Sequence, residues 1–240
     1  MPTAWLAIRP AEGRIETFTA GLKRSGFAVK QAMTMNPADG DVLIIWNRYG
    51  QADQCANAFE KLGLRVLVAE NATWGNDASG GPWLSLWLGT HNRCDSIAVG
   101  DTARWDALGI DLAPWRPDGG ETVGLPQRGI GPAGIAMPRG WIPPGCDRIR
   151  AHPGTNDCMP LETDLARASK VVTWGSGAAV KALQLGINVE SHMPGWAGEQ
   201  NNTDAGRLAM FQRLAWAQWT LREISDGVPF AHILEDVTAR

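Results

Sequence analysis

Residues 41–46 read DVLIIW, a run that is apolar at every position after the first. Successive side chains of a strand point to opposite faces, so such a run is buried on both sides, as in a central parallel strand covered by helices. The flanking stretches follow the same logic. AWLAI (4–8) reads as a strand, RIETFTAGLKRSG (14–26) as an amphipathic helix that stops on Gly26, and FAVKQ (27–31) as another strand. After DVLIIW come the helical QADQCANAFEKLG (51–63), ending at Gly63, and then RVLVAE (65–70) and SIAVG (96–100) as further buried strands. Glycine commonly closes a helix because it adopts left-handed backbone without steric cost. The alternation implies βαβ units with right-handed crossovers and a mostly parallel sheet.

GIDLAPWRPDGGE (109–121) interrupts the pattern with two prolines and three glycines and reads as a linker. Beyond it TVGLP (122–126), RIRAH (148–152) and VVTWG (171–175) look like strands, with LETDLARAS (161–169) and GAAVKALQLG (177–186) as helices. The stretch from 205 to 225 reads as one long amphipathic helix. The expected architecture is therefore α/β, two Rossmann-like parallel-sheet halves facing across a cleft. Its expected parts are residues 1–118, 119–204 and a C-terminal helix and tail, 205–240.

Composition narrows the function classes. With 44% apolar and 20% charged residues, the 240-residue chain is an ordinary globular one. A net charge of -3 argues against clamping nucleic acid by bulk electrostatics, though a local basic groove survives that average. Cys55, Cys94, Cys146 and Cys158 include no CxxC pair, so a zinc site is not expected, and no carboxylate pair such as DxD follows a strand to hold another metal. No stretch reaches the roughly 18 apolar residues of a membrane span, and MPTAWLAIRP lacks the pattern of a signal peptide. The expectation is a cytoplasmic protein with reduced thiols and no membrane partner. Twelve tryptophans beside one tyrosine suit packing, with a few left for ligand contact.

Ligands of open parallel sheets bind beyond the carboxyl ends of the strands, and the unusual strings of this chain follow strands. After VVTW the chain turns through Gly175, Ser176 and Gly177 into a helix. Glycines permit close backbone approach and a helix start favours an anion, with the Ser176 hydroxyl as a further donor. The alternative is a tight turn in which Ser176 merely caps the helix. Arg150 and His152 end the preceding strand and offer phosphate-binding donors, or else a salt bridge and a strand-end cap. In LPQRGIG (125–131) a third strand end yields Gln127, Arg128 and Gly129. Three such strand ends in one half fit a diphosphate site.

The order strand, QRG loop, strand ending in R-x-HP, then strand, GSG turn and helix followed by GINV resembles the donor-binding half of GT-B glycosyltransferases. The HP pair with a downstream serine is similar to bacterial sialyltransferases and capsular Kdo transferases, and the resemblance implies donor-phosphate contacts from His152 and Ser176. It covers about residues 121–198. Many such enzymes carry Glu-Ala-Leu on the helix after the turn, where this chain has Lys181, Ala182 and Leu183. The compact build also resembles small phage enzymes that glycosylate hydroxymethylated pyrimidines in DNA, which would place the protein in host cytoplasm.

The resemblance implies a nucleotide-sugar donor, no cofactor and no metal, with the acceptor and catalytic base in the first half. Glu70, closing RVLVAE, and His91, in LGTHNR, are the candidate bases, with Asp101 third or else a cap for DTARWDALG. Arginines 48, 93, 104 and 116 with Trp-lined loops suit double-stranded DNA carrying a hydroxymethyl pyrimidine, or form a scattered solvated surface. A saccharide acceptor, a nucleotide-sugar epimerase and a non-catalytic phosphate- or nucleic-acid-binding protein are the alternatives.

Overall fold

The computed structural model describes residues 1–75, 81–127, 129–152 and 159–235. It is mixed α/β with two mainly parallel sheets, each in its own compact unit. The first unit comprises Met1–His91, Asp95–Gly100 and the chain from Ala215 onward; the second comprises Asn92–Cys94 and Asp101–Leu214. The expected boundary at residue 118 thus lies inside the second unit.

The first unit contains β1 (Thr3–Ala7), α1 (Arg14–Arg24), β2 (Ala28–Lys30), β3 (Val42–Trp46), α2 (Gln51–Lys61), β4 (Arg65–Asn71) and β5 (Trp83–Leu88). The second holds α3 (Ala103–Leu108), β6 (Glu121–Leu125), β7 (Arg148–Ile149), α4 (Leu161–Asp164), β8 (Ala168–Thr173), α5 (Gly177–Gln184), β9 (Asn188–Ser191) and α6 (Asp204–Leu214). The chain then returns to the first unit as β10 (Gln218–Thr220), α7 (Leu221–Asp226) and α8 (Val228–Glu235).

The first sheet runs β10-β5-β4-β3-β1-β2, with β2, β1, β3 and β4 parallel and β5 antiparallel to both its neighbours. The second, β7-β6-β8-β9, is parallel throughout. Leu6, Ile44, Leu67, Leu86 and Trp219 of the first sheet pack with Phe18 and Leu22 of α1 and with Phe230 of α8. Gly21 lets α1 lie directly on α7, since a Cβ there would collide with the carbonyl of Ile224.

Three expectations are corrected. SIAVG forms no strand: Ser96 ends a 3-10 turn, and the Ala98 carbonyl faces His232 Nε2 at 2.6 Å. The 205–225 helix breaks after Leu214, because Trp219 enters the core as a strand paired to Leu84 of β5, itself an unanticipated strand. A new helix then starts at Thr220, whose hydroxyl accepts from Glu223 N–H while the Glu223 carboxylate accepts from Thr220 N–H, a reciprocal capping box. The Pro/Gly segment 109–121 is no free linker. Ala113 N–H donates to Gln184 O, Arg116 N–H to Gly186 O, and the Arg116 guanidinium to the Leu165 and Ala168 carbonyls. Arg207 of α6, 4% exposed, lies over the Trp115 ring and donates to Ala113 O.

Candidate functional site

In the second unit the strand ends converge on one turn. β8 closes with Thr173, whose hydroxyl donates to Leu125 O at 2.7 Å and accepts from the N–H groups of Gly175 (3.2 Å) and Ser176 (2.9 Å). The Gly175 carbonyl accepts from Gln127 Nε2 at 2.6 Å and from Asn92 Nδ2 at 2.5 Å. Gly175 has to be glycine, since a Cβ would stand 2.7 Å from Met193 Sδ and 3.2 Å from Gln127 Nε2. Ser176 is the N-cap of α5, its oxygen accepting from Ala178 N–H at 3.3 Å. That leaves the Gly177 N–H without a partner among the described residues and the Ser176 O–H able to donate outward. The turn and Gln127 are thus brought together, whereas Gly129 is exposed with φ 68 and Arg128 lies outside the described residues.

Arg150 is placed differently from the expectation that its guanidinium reaches into a ligand site. It is 8% exposed, with Nε 2.5 Å from Asp164 Oδ2 and Nη2 donating to Met159 O at 2.7 Å. Asp164 also takes Arg148 Nη1 at 2.7 Å. A buried cation is tolerable only when paired, so Arg150 is held within the unit by Asp164 and Met159 O; His152, two residues on, is half-buried and has contacts of its own.

Two features of this unit are not apparent from sequence. Residues 126–147, between β6 and β7, contain no helix or strand among their described residues; Pro143 lies against Gly124, where a Cβ would clash. Trp174 Nε1 donates to Ile135 O of that segment, and Trp141 lies 5.7 Å edge-on from the Trp174 ring and 5.5 Å from His192. Prolines at 126, 132, 138, 143 and 144 are the signal that no helix fills this crossover. A polar cleft of about 330 Å³ also runs along β8, β9 and the segment after β9, lined by Lys170, Glu190, Ser191, Trp196, Glu199 and Asn202. Lys170 Nζ, 2.7 Å from Glu190 Oε2, holds the Glu190 carboxyl below its usual range.

In the first unit Glu70 stands near the end of β4, and its backbone pairs with Ser85. The residue after β3, Asn47, has a left-handed backbone (φ 62), and its side-chain amide donates to the Glu70 carboxylate. Next along the chain, Arg48 is 7% exposed and fully engaged: Nε on Asp53 (2.7 Å), Nη1 on Glu60 (2.6 Å) and Gly89 O (2.7 Å), Nη2 on Asn57 (2.9 Å). This clamp, expected as an acceptor contact, instead fixes the loop that carries Asn47 and the exposed Tyr49.

Glu70 and His91 are not brought together within the first unit. Because β5 runs antiparallel to β4, Leu88 pairs with Leu67 and Gly89 N–H donates to Val66 O. His91 follows two residues later, toward the end of the sheet where β4 begins; Val66 and Glu70 are four positions, roughly 13 Å, apart along the strand. Burial lowers the His91 pKa to about 4, and its Nδ1 has no partner among the described residues. Asp101 belongs to the second unit and accepts from Ala103 N–H at 3.1 Å, the capping role that its sequence position also allows.

No protein family matches the chain, and no curated protein sequence does. Among solved structures it is similar to Thermosulfurimonas dismutans KpsC, a beta Kdo 2,7 transferase, at 13% identity over 95% of this chain and 99% of that one, with a TM-score of 0.47. No helix among the described residues is long and apolar enough to cross a membrane.

Proposed function

We propose that this protein is a glycosyltransferase that moves a sugar from a nucleotide-sugar donor to a hydroxyl acceptor. The observation that carries the reading is the rim of the second sheet. There Gln127, the Gly175–Ser176–Gly177 turn and the first turn of α5 meet at adjacent parallel strand ends, and His152 follows the next strand. Such a rim offers an anion the Gly177 N–H, the Ser176 O–H and the positive end of the helix dipole.

In the proposed reaction the acceptor oxygen attacks the anomeric carbon while the bond from that carbon to the donor phosphate oxygen breaks. The electron pair leaves with the phosphate, where the Gly177 N–H, Ser176 and His152 meet the developing charge. The acceptor proton passes to Glu70, which the Asn47 amide holds at the end of the first sheet. Arg150, paired with Asp164, anchors the chain two residues before His152.

Calorimetry with UDP- and CMP-linked sugars tests the donor site. Wild type should bind at least one of them, and Gln127→Ala, which removes one of the two donors to the Gly175 carbonyl, should weaken that binding about tenfold, or 1.4 kcal/mol. Absence of binding by every nucleotide sugar would reject the reading; binding without turnover on any acceptor would leave a non-catalytic binder. Interconversion of the donor sugar without transfer would identify an epimerase. Salt separates the acceptors, because DNA contacts release counterions: transfer to hydroxymethylated duplex DNA falls steeply with salt, and transfer to a saccharide of the sialyl or Kdo type does not.

A further inference from the structure

We propose that Trp141 and His192 form a binding site for a hydroxyl-bearing sugar ring at the second sheet, with Glu190 and Lys170 as its positioning residues. Assigning that ring to the donor rests on the glycosyltransferase reading; the sugar site itself does not.

Strand pairing brings these residues together. Lys170 pairs with Asn188 and Val172 with Glu190, and side chains two apart on a strand share a face. Lys170, Glu190 and, just beyond the two strands, Trp174 and His192 therefore lie on one face. Trp141, from the crossover between β6 and β7, lies against it, its ring centroid 5.7 Å from that of Trp174 and 5.5 Å from that of His192. The backbone here is tied to the Gly175–Ser176–Gly177 turn: His192 N–H donates to Thr173 O at 2.9 Å, and the Ser191 hydroxyl donates to Trp174 O at 3.1 Å. With strands about 4.8 Å apart and successive Cα atoms about 3.8 Å apart, the backbones of His192 and Ser176 are within roughly 12 Å.

The hydrogen bonds decide what this place accepts. Glu190 Oε2 stands 2.7 Å from Lys170 Nζ, and Glu190 Oε1 stands 3.0 Å from His192 Nε2. The Lys170 ammonium, with His192 adding less, holds the Glu190 carboxyl below its usual range, so it is a carboxylate that only accepts. The proton of the neutral imidazole must then sit on Nε2. Nδ1 is left as a bare lone pair with no partner among the described residues, and the Trp141 indole N–H has none either. The His192 side chain is 34% exposed and Trp141 is half-buried, so a ligand can reach both. Trp174 differs, because its N–H is spent on Ile135 O.

One acceptor and one donor beside an aromatic ring suit a sugar better than a phosphate. A bare Nδ1 needs a proton from its ligand, which an ionised phosphate oxygen does not have and a hydroxyl does. The hydroxyl oxygen can in turn accept from an N–H, while the C–H face of the ring packs on the indole. A single ligand can thus place its phosphate at the turn and a sugar hydroxyl at His192. In a nucleotide sugar that ring is either the ribose or the sugar to be transferred.

Calorimetry on the intact protein tests the site with inorganic phosphate, ribose 5-phosphate, glucose 1-phosphate, UDP, CMP and UDP- and CMP-linked sugars, in wild type, Trp141→Leu and His192→Phe, which keeps a ring and removes both nitrogens. Wild type should bind a sugar-bearing ligand more tightly than inorganic phosphate. Each variant should lose about tenfold in that affinity, or 1.4 kcal/mol, with the affinity for inorganic phosphate and the melting temperature of His192→Phe unchanged. A loss already present with UDP or CMP identifies the ribose; a loss confined to their sugar-linked forms identifies the transferred sugar. Imidazole nitrogen shifts measured by NMR should show the neutral His192 protonated at Nε2 in wild type and as a mixture of tautomers in Glu190→Ala, a change that a merely structural carboxylate would not cause. Failure of wild type to bind any sugar-bearing ligand, equal affinities in wild type and His192→Phe, or a neutral imidazole protonated at Nδ1 overturns the site. Binding of a sugar phosphate that His192→Phe loses, with no nucleotide sugar bound, rejects the glycosyltransferase reading and leaves the sugar site standing.

Discussion

The C-terminal edges of the two parallel sheets are finished by different chemistry. At the β8–α5 turn of the second sheet the groups are neutral and largely closed on one another: Thr173 takes two backbone N–H groups, and the Gly175 carbonyl takes two side-chain amides. At the first sheet the groups are charged. One buried arginine, Arg48, is consumed in fixing the loop. A neutral, pre-formed cradle suits a ligand that brings its own charge, because its dipoles need no reorganisation when the anion arrives. A carboxylate oriented by an amide suits proton transfer. Under the proposed function the contrast gives donor binding to one edge and proton transfer to the other, and it can be broken at either.

The largest effect should come from Glu70→Gln, which keeps the shape of the side chain and removes its basicity. General-base catalysis is worth about 10²- to 10⁴-fold, so turnover should fall by at least about 10²-fold while donor affinity, measured separately, stays put. A loss of donor affinity in this variant would erase the contrast between the edges.

His91 supplies the next largest effect, and it concerns stability. Its folded pKa of about 4 lies below the ordinary value of 6.5, so between those two values the unfolded chain binds a proton that the folded chain does not. Stability therefore falls as pH drops through that window, by at most about 3 kcal/mol at 1.36 kcal/mol per pKa unit. Urea unfolding at pH 7 and pH 4.5 should show a larger loss in wild type than in His91→Asn. The same variant should keep near-full turnover at pH 7; collapse of turnover would make His91 the general base in place of Glu70.

The parts of this picture that sequence reveals are those set by local patterning. DVLIIW and RVLVAE read as buried strands because they are short, rich in Val and Ile and apolar on both faces, and Gly26 and Gly63 follow the ends of α1 and α2 with left-handed backbone. Glu70 is recognisable as a strand-end carboxylate. Its orientation is not, because Asn47 reaches it only through the register of β3 on β4. Arg150 is likewise visible as a residue type, but its partner Asp164 is delivered by a separate helix, so the guanidinium reads as available when it is spent. The break in the 205–225 segment has a signal, since Thr-Leu-Arg-Glu at 220–223 fits a capping box. Continuous helical periodicity across Leu214 to Thr220 hides it, and pairing of Trp219 with β5 decides the outcome.

The smallest effect separates the two roles of Ser176, as helix cap and as ligand donor. Loss of an N-cap serine costs about 1 kcal/mol, so Ser176→Ala should lower the melting temperature by about 2–4 °C in a chain of this size. If the hydroxyl also donates to a donor phosphate, the same variant should lose roughly tenfold in nucleotide-sugar affinity, since hydrogen bonds to charged groups are worth about 1.5–3 kcal/mol. Ser176→Asp divides the effects. Aspartate caps a helix as well as serine does, so the melting temperature should hold, while its negative charge at the same position should repel the phosphate and abolish binding. A variant pair in which alanine is less stable and both bind donor as wild type does would make Ser176 a cap alone, and the phosphate would then have to lie elsewhere along the rim of the second sheet.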